Sequence, residues 1–240
     1  KLSAKQNNPL AQYSLFLILI RENSNEINVL EALKYLNKAA DQNLPDSQCL
    51  LGYLYLMRLI PFEDKKNNLF FDTIVSVNKS YTDLINSLSK CFDVSKYIKP
   101  DFKKALKNLE KAANQDHIPV LIGLGSIYEN GLYVVKDYEK SIFYYKKLAD
   151  QNISYGQFLL GQLYIQIGSV SEGVLYLKLS ANQNYSLAQF MLGILYLEGE
   201  KLDYNIDNAI KYLILAAENN NSNDQYLLGS IYFYSFYEKQ

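Results

Sequence analysis

The sequence contains no tryptophan, one histidine, two cysteines, two methionines and five prolines in 240 residues. Two cysteines, Cys49 and Cys91, are too few for a disulfide scaffold, and both read as small buried apolar residues. The single histidine, His117, precedes Ile118-Pro119 in a predicted turn. With no Cys, Asp or Glu cluster at ligand spacing around it, it makes neither a zinc centre nor a histidine-based nucleophile. The glycines form no phosphate-cradling loop. Glu129, Asp137 and Glu139 read as solvated helix residues and an N-cap rather than an acid–base pair. No catalytic residue, metal or cofactor is therefore expected, and the chain does not read as an enzyme.

An excess of positive charge is also missing. Twenty-four Lys and Arg stand against 25 Asp and Glu, giving a net charge of −1 and a pI near 6.0. A nucleic-acid binder needs a cationic surface to displace counterions, so nucleic acid is not an expected partner. The longest purely apolar run is Leu15–Ile20, against about 20 residues for a membrane span, so no membrane insertion is expected. No cationic-then-apolar secretory segment opens the chain, which favours the cytoplasm over a lumen. The chain starts at Lys1 rather than Met and reads as processed or as a fragment, which leaves an already removed signal peptide open.

What the sequence has is a period. With 49% hydrophobic and 20% charged residues the chain is a folded one. Leu-Gly pairs recur at Leu51-Gly52, Leu124-Gly125, Leu160-Gly161, Leu192-Gly193 and Leu228-Gly229, with Leu15-Phe16 one step before the first. An aromatic or apolar residue stands three positions after each slot: Leu19, Tyr55, Tyr128, Tyr164, Tyr196 and Tyr232. The long gap between Gly52 and Gly125 halves at Leu88-Ser89, with Phe92 in the aromatic place. A degenerate repeat is accordingly expected around 58–99, in preference to an inserted loop.

A second helix follows each first one. Asn28, Asp64, Asp101, Asp137, Ser169 and Asn205 read as its N-caps. Four residues on comes a mostly small residue (Ala32, Asn68, Ala105, Ser141, Gly173, Ala209), then an aromatic in most copies, then small pairs such as Ala112-Ala113 and Ala216-Ala217. Spacings of three and four place these on one face. Asn43, Asp116, Asn152, Asn184 and Asn220 read as left-handed helix stops. Each hairpin thus has apolar surface on two sides, which only stacking buries. The reading is one continuous all-α domain over 1–240, an α/α solenoid of about six repeats plus a terminal helix.

With its slots in place the pattern resembles the Sel-one-like repeat family, relatives of the tetratricopeptide repeats. The resemblance is carried by Leu192-Gly193-Ile194-Leu195-Tyr196-Leu197-Glu198-Gly199 with Ala209 and Ala216-Ala217. It is carried again by Leu124-Gly125-Ser126-Ile127-Tyr128-Glu129-Asn130-Gly131 with Asp137 to Ser141. The chain departs from the family in lacking its second-helix tryptophan and in ending its second helices on Asn or Asp. The copy around Gly161 also has a loop four residues shorter. The resemblance implies a right-handed superhelix with a concave groove, acting as a scaffold or adaptor for other proteins.

One stripe of the first helix varies between copies, at positions two before, one after and five after the slot. From it the candidate partner-binding residues are Tyr53, Met57, Lys90, Ser126, Asn130, Gln162, Gln166, Ile194, Glu198, Ser230 and Tyr234. Mixed aromatic, Met and amide side chains suit a protein or peptide partner. The chain end, Tyr226–Tyr237, carries an apolar face that calls for continuation of the chain, self-association or docking onto another protein. The alternatives to a protein scaffold are a helical-repeat RNA binder and a regulatory segment of a larger enzyme.

Overall fold

The computed structural model describes residues 4, 7–22, 26–56 and 98–218, excepting the side chains of 21–22 and 26–28. The described residues form ten helices and no strand. They fall into two compact units, 1–137 and 138–240. The first unit holds α1 (Pro9–Glu22), α2 (Glu26–Asp41), α3 (Pro45–Leu56), α4 (Phe102–Ala113) and α5 (Ile118–Asn130). The second holds α6 (Tyr138–Asp150), α7 (Ser154–Gln166), α8 (Val170–Ala181), α9 (Ser186–Glu198) and α10 (Ile206–Glu218).

The slot residues explain why the helices pair. A Cβ added at Gly161 would stand 2.9 Å from Leu177 Cγ and 3.0 Å from the Gly173 carbonyl oxygen. At Gly193 it would stand 2.6 Å from Leu213 Cγ and 3.3 Å from the Ala209 oxygen. Glycine on one helix and a small residue on the other let the two backbones meet, and the leucine one turn later closes over them. The preceding leucines, Leu15, Leu51, Leu124, Leu160 and Leu192, are all buried. A second close approach joins neighbouring repeats: a Cβ at Gly156 would overlap Leu148 of the previous second helix.

Each pair is antiparallel, and its closing hydrogen bond recurs. Ser169 N–H donates to the Tyr164 carbonyl at 2.8 Å and Asn205 N–H to the Tyr196 carbonyl at 3.0 Å. The same tyrosines stack on the second-helix aromatics, Tyr164 on Tyr176 at 5.8 Å and Tyr196 on Tyr212 at 6.0 Å between ring centres. The turns between repeats are set by Asn43, Asp116, Asn152 and Asn184, all at positive φ between 55° and 62°. These are the helix stops expected from the sequence. Asn and Asp tolerate that region because the short side chain can hydrogen-bond locally. Asn220 lies outside the described residues.

The N-caps divide. The Asp101 carboxylate accepts from Lys104 N–H at 3.0 Å and the Asn205 amide oxygen from Asn208 N–H at 2.9 Å. Ser169 makes no side-chain cap bond; the three-residue loop before α8 leaves its ψ at 66° instead of extended. Asn28 is not a cap: α2 begins two residues earlier, at Glu26. Asp64 lies outside the described residues.

The pairing of α3 differs from expectation. Asp101 N–H donates to the Tyr55 carbonyl at 3.2 Å, the same closing bond as in the uninterrupted hairpins. A Cβ at Gly52 would stand 2.6 Å from Leu109 Cγ and 3.3 Å from the Ala105 oxygen. The first helix 45–56 therefore takes α4 as its second helix, where the period assigns it a partner beginning near Asp64. The degenerate repeat expected around 58–99 falls almost wholly on 57–97, outside the described residues. Those residues stand, in chain order, between the two helices of one hairpin.

Candidate functional site

The stripe proposed from spacing has two fates. In the first unit Tyr53 and Ser126 are 3% and 2% exposed. Their helices are closed on every side: 47–54 of α3 and 120–128 of α5 are buried throughout. Burial first, and Cys49 beside it second, push the Tyr53 hydroxyl pKa well above its ordinary value, as expected for a phenol kept from water. Cys49 itself is fully buried. Of the first-unit candidates among the described residues only Asn130 is exposed, at the end of α5, with its amide N–H donating to the Ser126 carbonyl at 3.0 Å.

In the second unit the stripe is open. Gln162, Gln166 and Glu198 are exposed and Ile194 is half-buried, with half-buried Leu159 and Met191 between them. These residues sit on α7 and α9, whose opposite faces are anchored in a shared core of Phe158, Ile165, Leu177, Ala188, Leu192 and Leu195. Gln166 Nε2 lies 3.5 Å from the Tyr138 hydroxyl. Above them, Tyr155, Phe158 and Tyr185 form an aromatic knot with centres 5.3–6.4 Å apart. Burial, then Tyr155, raises the Tyr185 hydroxyl to about 12, so it is neutral at physiological pH. Met57, Lys90, Ser230 and Tyr234, and the apolar face 226–237, lie outside the described residues.

Spacing alone missed a set of buried glutamines four positions before the slot. Gln12, Gln48, Gln157 and Gln189 are buried on the first helices. Gln48 Nε2 donates to the Ala40 carbonyl at 3.1 Å and to Asn43 Oδ1 at 3.2 Å, while its Oε1 accepts from Gln115 Nε2 at 2.9 Å. Gln157 reaches Asn152 Oδ1 at 3.0 Å and accepts from Gln183 at 2.7 Å. Gln12 does the same with Asn7 and Gln42, and Gln189 donates to the Ala181 carbonyl at 3.1 Å. Gln48 thus ties the end of the previous second helix, the left-handed Asn43 and the end of its own second helix into one clasp, and Gln12 and Gln157 likewise bridge a left-handed Asn to a Gln at the end of their own second helix. Buried and satisfied, such a group fixes register; unsatisfied it costs about 1–3 kcal/mol. The available sequence signal is a polar residue kept at one position of an otherwise apolar face.

Among the described residues no group of three or more His, Cys, Asp or Glu could hold a metal ion, and no helix is long and apolar enough to cross a membrane. His117 caps α5 without a side-chain cap bond and lies against Asp46, Nε2 to Oδ1 3.4 Å.

Helical hairpins joined through glycine slots, left-handed Asn turns and amide clasps define an α/α helical-repeat protein. The chain belongs to the Sel1 repeat family: the repeat matches residues 9–44, 45–65, 85–117, 120–153 and 186–221. Two of these matches, 45–65 and 85–117, reach from either side into the stretch 57–97 that lies in sequence between α3 and α4. The unmatched hairpin α7/α8 has the same slot geometry with the shortened loop. Among solved structures, the chain is similar to a Sel1 repeat protein from Oxalobacter formigenes, with 23% identity, a TM-score of 0.67, and coverage of 93% of this chain and 55% of that one. It is also similar to c5321, a protective antigen of uropathogenic Escherichia coli strains displaying an SLR fold. There the identity is 22%, the TM-score 0.51 and the coverage 96% and 50%. The chain thus spans about half the length of these proteins. At such identity the likeness concerns the fold, which is the α/α solenoid the sequence implied. No curated protein matches the chain.

Proposed function

We propose that the chain is a non-catalytic interaction scaffold that holds a segment of another protein along the open stripe of α7 and α9. The observation that carries this reading is the composition and exposure of that stripe: Gln162, Gln166 and Glu198 reach solvent beside half-buried Leu159, Met191 and Ile194. Amides can hydrogen-bond a peptide backbone, Met adapts to varied side chains, and aliphatic groups supply burial. Family membership supports it, since Sel1 repeat proteins are typically protein-interaction scaffolds. Ser230 and Tyr234 hold the same positions by spacing in the second unit; in the first unit Met57 and Lys90 do so by spacing, and Asn130 is an exposed amide at the end of α5.

Peptides selected for binding to the intact chain test the reading. Gln162→Ala combined with Ile194→Ala should weaken them roughly tenfold or more, since truncated anchors dominate such interfaces. The helical circular dichroism should persist. Selected peptides that bind the double variant as tightly as the parent would remove the stripe from the function.

A further inference from the structure

A second surface of the first unit points to a ligand of defined charge. A cleft of about 730 Å³ opens between one face of α2 and the start of α4, within the size range of ligand sites. Its floor is apolar: Leu33 and Ile98 are 8% and 9% exposed, and exposed Leu30 forms a wall. Three lysines line it, Lys34 from α2, Lys99 from the approach to α4, and Lys104 from the first turn of α4.

The three are not equivalent. Lys104 is committed: its Nζ lies 3.6 Å from Asp101 Oδ2 and 5.7 Å from the centre of the Tyr55 ring. Asp101, the only carboxylate in the lining among the described residues, is committed too. The Lys104 backbone N–H, and more weakly its ammonium, hold the Asp101 carboxyl below its ordinary pKa. Lys34 and Lys99 are exposed cations for which no ion pair is formed among the described residues. The cleft therefore keeps two uncompensated positive charges around an apolar floor. Of the two helices that frame it, α4 carries four lysines against one glutamate, while α2 carries two lysines against Glu26, Glu31 and Asp41, so the positive field comes from the α4 side.

We infer that this cleft binds an acidic peptide segment, with carboxylates meeting Lys34 and Lys99 and an apolar side chain seated on Leu33 and Ile98. This goes beyond the stripe reading, because the cleft lies on α2 and α4 and shares no residue with α7 or α9. A peptide fits better than a lone inorganic anion because the charges flank an apolar floor that an anion by itself would leave unfilled. Among the described residues no arginine fork, which would favour phosphate through paired hydrogen bonds, lines the cleft.

The test titrates the intact chain into a short fluorescein-labelled peptide of alternating Glu and Leu, read by polarisation. A peptide of alternating Lys and Leu serves as control. The acidic peptide should bind, weaken as salt rises, and lose roughly tenfold or more in affinity with Lys34→Glu plus Lys99→Glu, where like charges now face each other. Both positions are exposed, so circular dichroism and thermal unfolding should match the parent. Gln162→Ala with Ile194→Ala should leave this binding unchanged, which separates its failure from failure of the stripe. Equal binding of the two peptides, or indifference to the charge reversal, would overturn the inference. Displacement by millimolar inorganic phosphate would overturn it as well, by showing a phosphate-type anion site.

Discussion

The first helices of the two units share their slot leucines and present opposite surfaces. In α3 and α5 the stripe positions two before and one after the slot, Leu50, Tyr53 and Ser126 among them, are buried; in α7 and α9 the same positions, Leu159, Gln162, Met191 and Ile194, are open or half-open. The slot period dictates which face of a first helix meets its own second helix, and it says nothing about what covers the remaining face. A helix buried all round is core, whatever its register.

The sharpest way to break the comparison is to truncate the same stripe position in each unit. Tyr53→Ala should cost about 3–5 kcal/mol, as large-to-small changes of buried aromatics do. Gln162→Ala, one position after its slot just as Tyr53 is, should stay within about 0.5 kcal/mol, as exposed substitutions do. Urea unfolding of the intact chain measures both. A small effect at Tyr53 would mean that α3 offers a surface after all, and the first unit would then have an open stripe of its own.

The slots offer a second, smaller contrast. A Cβ at Gly161 meets backbone, the Gly173 oxygen and the Leu177 nitrogen, both at 3.0 Å. At Gly52 the nearest atoms belong to the Leu109 side chain, with backbone only at 3.3 Å. A side-chain end can turn away and a backbone cannot. Gly161→Ala should therefore destabilise by about 1–3 kcal/mol, and Gly52→Ala by visibly less in the same unfolding assay. Equal costs would show that the two hairpins are equally unyielding.

The features legible in the sequence share one property: each is a local backbone requirement. The slot glycines, the left-handed Asn43, Asn152 and Asn184, and the caps Asp101 and Asn205 all sit where few residue types fit, so type reveals place. The unreadable features are settled by partners far along the chain. Halving the gap between Gly52 and Gly125 found Leu88 and Phe92 in register, yet α3 closes on α4 through Tyr55 and Asp101. Nothing within either stretch announces that choice. The same holds for exposure: Tyr53 and Gln162 occupy one stripe position, and only the fold tells them apart. The glutamines escape spacing arguments because a residue such as Gln48 finds its partners at the ends of two other helices, so a buried Gln looks locally like an error in an apolar face.

That clasp also supplies the last prediction, which tests the pairing of α3 with α4 directly. Gln48 and Gln115 are 67 positions apart, farther than the two clasp partners of an uninterrupted hairpin such as Gln157 and Gln183, which are 26 apart. If both pairs are real clasps, double-mutant cycles to Ala should give coupling of the same sign and of about 1 kcal/mol in each, within the range for residues sharing a hydrogen bond. If 45–56 instead takes a second helix beginning near Asp64, Gln48 and Gln115 share no contact and their cycle should close to within about 0.3–0.5 kcal/mol. The Gln157–Gln183 cycle guards against a trivial zero, because it shows what a clasp is worth in this chain. Coupling at 157–183 without coupling at 48–115 would return α4 to another partner, and with it the cleft that α2 and α4 enclose.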